Sequence, residues 1–111
     1  MIDKQKLVKI VGTGKVSDRE EDLETYSSDI SFVNRVRPAY VVKPGTAGEV
    51  QKLIELANST KTPLVPVSSG APHFKGDTVP GNGGSIIVDL SGMKKVEFVD
   101  RARRVAMVEP G

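Results

Sequence analysis

The residues best suited to chemistry lie between Pro63 and Asp77, "PLVPVSSGAPHFKGD". An apolar, β-prone run stops at two serines and a glycine, and the loop that follows carries the chain's single histidine, His73. Side chains as small as those of Ser68, Ser69, Gly70 and Ala71 leave successive backbone N–H groups unshielded and able to converge on an anion. Both serine hydroxyls can donate as well. A phosphate or diphosphate held there gains charge-assisted hydrogen bonds, which are stronger than neutral ones. The competing reading is a plain surface turn, because serine, glycine and proline are the ordinary residues of turns. No glycine-lysine-serine ending follows, so this is not a Walker loop, and the glycine spacing of a dinucleotide fingerprint is missing.

Other candidates are weaker. His73 has no second histidine to share a metal with, so no metal site is expected. It also lacks a neighbouring partner that would make it a catalytic base, and no catalytic residue is assigned. Lys75 can neutralise a phosphate but reads more simply as a solvated loop lysine, and Asp77 caps the turn through its own backbone. Asp89, at the end of an apolar run, is expected to cap the "SGM" turn after it. Arg101, Arg103 and Arg104 suit a charged hairpin tip. Met93 and Met107 are expected to fill core gaps.

The elements that must position these residues belong to a chain of 111 residues, enough for one domain with a modest core. Charges of both signs are mixed and the net charge is +2, so the composition is that of a globular chain. The pI is basic, but the basic residues are scattered and not interleaved with aromatic ones, and no nucleic acid partner is expected. The absence of cysteine excludes disulfides, thiolate metal sites and a cysteine nucleophile. The N-terminal "MIDKQKLVKIVG" is too short in its apolar part, and too interrupted by lysine, for a signal peptide or a membrane span. No membrane insertion is expected, and the expected location is cytoplasmic.

Leu7, Ile10 and Val11 recur at helical spacing behind Asp3, which can cap that helix, and Gly12 to Gly14 ends it. Ser17 with Glu20 has the form of a capping box that opens a short acidic helix to about Tyr26, with Leu23 and Tyr26 facing inward. "SSDISFVNRVRP" has no sustained period and reads as irregular, leading to a strand at "AYVVKP". Thr46 and Glu49 form a second capping box ahead of a Val50, Leu53, Ile54, Ala57 stripe. "PLVPV" then reads as a strand covered on both faces. Strand, helix and strand within about thirty residues predict a βαβ unit with parallel strands and a right-handed crossover. "SIIVDL" is a third strand, and "KKVEFVD" and "RRVAMVEP" are the arms of a hairpin. The fold class is α/β. Ligands of open parallel sheets sit outside the carboxyl ends of the strands, where the loop after "PLVPV" lies.

The blocks "VVKPGTAGEVQKLIELANSTKTPLVPVSSG", "GGSIIVDLSGMKKV" and "VAMVEPG", in that order, resemble the N-terminal half of the flavin-binding domain of the FAD-linked oxidases. These are the enzymes related to vanillyl-alcohol oxidase and, more closely, to the glycolate oxidase and D-lactate dehydrogenase flavin subunits. "DLETYSSD" is similar to the segment those enzymes carry ahead of the domain. The resemblance implies a helical lead-in over residues 1–37 and an incomplete N-terminal subdomain of an FAD-binding domain over residues 38–111. It also implies a noncovalent FAD whose pyrophosphate is wrapped by the loop Pro66, Val67, Ser68, Ser69, Gly70, Ala71, Pro72, His73, Gly76 and Asp77. Ser68, Ser69 and Pro72 stand where that family's loop commonly carries glycine, while Gly70 and Gly76 keep its pattern.

The expected partners are the remainder of the FAD-binding domain and a substrate cap domain, for the chain ends where the family's domain is half complete. The parent enzyme is expected to oxidise a small 2-hydroxy acid such as glycolate or D-lactate, and the isolated chain to be inactive. Self-association through exposed apolar surface or a sheet edge is also expected of a half domain. The alternative is a stand-alone anion-binding or protein-interaction domain without flavin.

Overall fold

A computed structural model describes residues 2–70 and 72–111. In chain order the elements are α1 (Lys4–Val11), β1 (Val16–Ser17), α2 (Glu20–Thr25), β2 (Tyr40–Val42), α3 (Ala47–Thr60), β3 (Leu64–Val67), β4 (Ile86–Asp89), β5 (Val96–Asp100) and β6 (Val105–Val108).

Local chemistry accounts for two of the helices. Asp3 is extended and its carboxylate accepts the Gln5 N–H, while α1 stops at Gly12, whose φ of 97° suits glycine. Thr46 Oγ1 accepts the Glu49 N–H at 3.2 Å and opens α3. The Glu49 carboxylate reaches back to the Thr46 hydroxyl, also at 3.2 Å, rather than to the Thr46 amide. The capping box expected at Ser17 and Glu20 does not form. α2 begins after Arg19 with no side-chain cap, and Ser17 lies in β1 instead, where its hydroxyl donates to Asp22 and accepts the Arg19 N–H. Pairing of Val16 and Ser17 with β2 takes Ser17 out of the capping position.

Six strands form two sheets. The first has the order β1-β2-β4-β3, with β2 and β3 both parallel to β4 and β1 antiparallel to β2. β2, α3 and β3 therefore form the expected parallel unit, but β4 is inserted between its strands. This placement corrects the expectation that "PLVPV" is covered on both faces. β3 is an edge strand, with Leu64 and Val65 half-buried and Pro66 exposed. Proline lacks the N–H that an inner strand must donate, so the edge is where Pro66 can be tolerated. The fully buried strand is β4, all four residues of it.

Alternation along the inner strands divides the core. Val42, Ile86 and Val88 face α1 and α3, joining Ile2, Leu7, Val11, Val16 and Leu53. Val41, Val67 and Ile87 face the other way and are covered by Leu23 of α2. The stripe on α3 is narrower than expected. Leu53 and Ala57 are buried, whereas Ile54 is 46% exposed on the rim of that stripe.

β5 and β6 pair only with each other, with a turn closed by the Arg103 N–H on Asp100 at 3.0 Å. Their apolar residues, including Phe98 and Val99, are exposed. Met93 is buried as expected, but Met107 is 55% exposed and fills no core, because the hairpin has no second layer against it.

Candidate functional site

Parallel pairing brings the carboxyl ends of β2, β3 and β4 to one edge of the sheet, so that Lys43, Ser68 and Leu90 leave it side by side. The last ladder bond on the β3 side is the Leu90 N–H to the Val67 carbonyl at 2.7 Å. Beyond it the chain lifts off, and Ser68, Ser69 and Gly70 are exposed. Among the described residues the main-chain amides of these three donate to no protein acceptor. A Cβ placed on Gly70 would meet nothing within 4 Å, so the loop surface there is open.

The His73 ring folds back over the loop, its Nε2 lying 2.8 Å from the Ser69 carbonyl. A carbonyl only accepts, so Nε2 carries the proton in this contact. In a trans peptide the carbonyl of one residue and the N–H of the next point in opposite directions. Holding the Ser69 carbonyl therefore turns the Gly70 N–H away from the ring. A cleft of about 290 Å³ lies against this loop.

Of the expected site residues, Pro66, Ser68, Ser69, Pro72, His73 and Asp77 line that cleft. Val67 and Gly70 do not: Val67 points into the core beside Ile87 and Leu23, and Gly70 is exposed beside the cleft. Ala71 lies outside the described residues. Gly76 joins the loop differently, through its backbone: φ is 78°, and its N–H is given to Asp29 Oδ2 at 2.7 Å. Phe74, Lys75 and Thr78 also line the cleft, and only Lys75 among them was singled out by its chemistry.

Asp29 is the residue that sequence reasoning missed. Its carboxyl is held below the usual carboxylate range, first by the Ser31 hydroxyl and also by the Ser31 and Gly76 amides, against a smaller desolvation. The sole local signal is the Asp-x-Ser spacing of an Asx turn, with the Ser31 N–H on Asp29 Oδ1 at 2.8 Å.

Asp89 caps the turn as expected, accepting the Ser91 N–H at 2.9 Å, and it also accepts the Tyr26 hydroxyl at 2.6 Å. Burial pushes the Asp89 carboxyl up, but the hydrogen bonds from Ser91 and Tyr26 outweigh it and the net shift is downward. Burial, followed by the bond to Asp89, raises the Tyr26 phenol above its usual range. The contribution of Asp89 is present above about pH 4 and is lost as pH falls through its lowered folded value. That of Tyr26 is present below about pH 10 and is lost as pH rises further. Tyr26→Phe leaves one buried carboxylate oxygen without its donor and is expected to cost about 1–3 kcal/mol. Urea titrations across pH check this: the variant should have lower stability at neutral pH and a weaker decline above pH 10.

A second, smaller cleft, of about 160 Å³, lies between α2 and β2 and is lined by Lys15, Ser17, Asp22, Tyr26 and Lys43. It has no run of free amides comparable with residues 68–70. No group of three His, Asp or Glu side chains that could hold a metal occurs among the described residues. Nor is any helix among them long and apolar enough to cross a membrane.

Comparison with known proteins adds four findings. Residues 38–111 match the family model described as FAD binding domain. An uncharacterized FAD-linked oxidoreductase of Mycobacterium tuberculosis is 33% identical over 92% of this chain and 22% of its own length. The glycolate oxidase subunit GlcD of Bacillus subtilis is 25% identical over 97% of this chain and 23% of its own. Among solved structures, p-cresol methylhydroxylase with substrate bound superposes with a TM-score of 0.85 at 28% identity, over 96% of this chain and 21% of that one. The chain thus spans about a fifth of the length of the curated relatives it matches.

Proposed function

The chain belongs to the FAD binding domain family, and from that premise we propose that its loop from Pro66 to Asp77 holds the diphosphate of FAD. One observation carries this reading. The amides of Ser68, Ser69 and Gly70, exposed at the carboxyl end of a parallel strand, have no protein acceptor among the described residues. Amides converging on an anion supply fixed partial positive charge without bringing in a buried cation. The two serine hydroxyls add donors, and Lys75 adds a screened positive charge at the cleft rim.

Binding is noncovalent in this reading, with the His73 ring engaged on the Ser69 carbonyl. Val67, in the core, anchors the start of the loop, and Pro66 and Pro72 restrict its backbone. Asp77 ends it. Bound FAD supplies the hydride-accepting ring; residues of this chain bind and orient it.

The whole protein, on this proposal, is an FAD-linked oxidoreductase acting on a small 2-hydroxy acid such as glycolate or D-lactate. Similarity to the glycolate oxidase subunit supports that substrate class, and similarity to p-cresol methylhydroxylase makes a phenol the competing one. The proposed partners within that protein are the remainder of the FAD-binding domain, covering the apolar surface of β5 and β6, and a substrate cap domain. Left uncovered, this surface is expected to drive self-association of the 111-residue chain.

Deflavinated full-length protein should regain its yellow colour on adding FAD and be stabilised by about 2.7 kcal/mol at a hundredfold excess over Kd. Inorganic pyrophosphate should compete. Protein that takes up no FAD under any condition would refute the reading. Anaerobic addition of glycolate or D-lactate should bleach the flavin absorbance, and bleaching by p-cresol alone would replace the substrate class.

A further inference from the structure

We propose that residues 29–33, ahead of the matched family region, brace the cofactor loop, with Asp29 as the positioning residue. The proposal rests on the reading of that loop as the diphosphate site. Two hydrogen bonds join the segments across more than forty residues of sequence: Gly76 N–H to Asp29 Oδ2 at 2.7 Å, and Ile30 N–H to the His73 carbonyl at 2.9 Å. They grip both ends of the short stretch from His73 to Gly76. The ring of that same His73 holds the Ser69 carbonyl at 2.8 Å. A continuous path of contacts therefore runs from Asp29 and Ile30, through His73, to the peptide that presents the Gly70 amide.

The other contacts leave little slack. Asp29 Oδ1 is occupied by the Ser31 N–H and hydroxyl, which fixes the carboxylate plane and leaves Oδ2 for the loop. A Cβ on Gly76 would overlap Val33 Cγ2, and φ is 78°, so only glycine can make this approach without displacing Val33 or straining the turn. A carboxylate accepts an amide more strongly than a neutral oxygen does. The brace thus commits one loop amide, that of Gly76, to the protein, and leaves those of residues 68–70 to an anion.

The opposite role is a competitor, in which Asp29 occupies an amide that the phosphate would otherwise take. The two differ in sign. In full-length protein, Asp29→Ala is expected to speed amide exchange of residues 73–76, measured without flavin, and to weaken FAD binding, each by about tenfold or more, as loss of a bond to a charged group implies. Asp29→Asn keeps one acceptor oxygen where the brace uses two, one for Ser31 and one for Gly76, so it should show both effects in part, short of those of Asp29→Ala. Glu55→Gln, on the exposed face of α3, should change neither. Gly76→Ala attacks the contact from the loop side and should weaken FAD binding likewise; if Asp29→Ala does not fold, that variant and Asp29→Asn decide. Unchanged exchange, or FAD binding as tight as or tighter than in the parent, overturns the brace. Parent protein that binds no FAD refutes the diphosphate reading instead, and the exchange result then decides alone whether Asp29 holds the loop.

Discussion

Replacing Ser69 with aspartate is expected to abolish FAD retention while leaving the fold intact. Ser69 is exposed, and its backbone carbonyl, not its side chain, is what His73 holds. Exposed substitutions away from special contacts usually change stability by within about 0.5 kcal/mol. The effect on binding is of another size. A carboxylate set among amides that face a diphosphate brings like charges to within a few ångströms, where the repulsion reaches several kcal/mol. A rise in Kd of about a hundredfold or more follows. Ser69→Ala is the informative companion, since it removes one hydroxyl but leaves the amide and should cost only about 1 kcal/mol. Titration of deflavinated full-length protein by flavin fluorescence measures both. Equal losses in the two variants would shift the binding role from the main chain to the hydroxyl, and undiminished binding by Ser69→Asp would remove the loop from the site altogether.

The largest expected loss of stability comes from the middle of the sheet. Ile87 is fully buried, on the strand that has β2 on one side and β3 on the other, packed with Leu23, Val41 and Val67. Ile87→Ala removes its apolar transfer energy and leaves a cavity that strands held by ladders on both sides cannot collapse to fill. Buried isoleucine-to-alanine changes cost about 2–5 kcal/mol, and the upper half of that range is expected here. Ile54→Ala, on the rim of α3, should cost less than about 1 kcal/mol. Urea unfolding of the two variants tests the partition of the core directly. Similar losses would mean that the sheet's second face is not the sealed layer described above.

Much of this architecture is local and can be read directly. Asp3 before α1, Thr46 before α3, and the two arms of the hairpin act within a few residues of themselves, and each is found where its pattern puts it. The strand-end loop is legible for the same reason, since small side chains expose a backbone whatever surrounds them. Ser17 and Glu20 have a capping pattern of the same form, yet pairing with β2 overrides it. Met107 and Ile54 carry the apolar character of core residues but stand at the edge of what their elements can bury.

The sequence by itself determined which segments, β1 apart, become helix, strand or exposed loop, together with the resemblance that points to FAD. Those properties depend on neighbours in the chain. Only the tertiary structure decided that β4 enters between β2 and β3, that Tyr26 meets Asp89, and that Asp29 takes the amide of Gly76 across 47 residues. Strand order is chosen by which faces can be sealed together. Polar pairs as distant as these leave no periodic mark, because each partner's residue type is ordinary until the fold brings the two within a hydrogen bond's length.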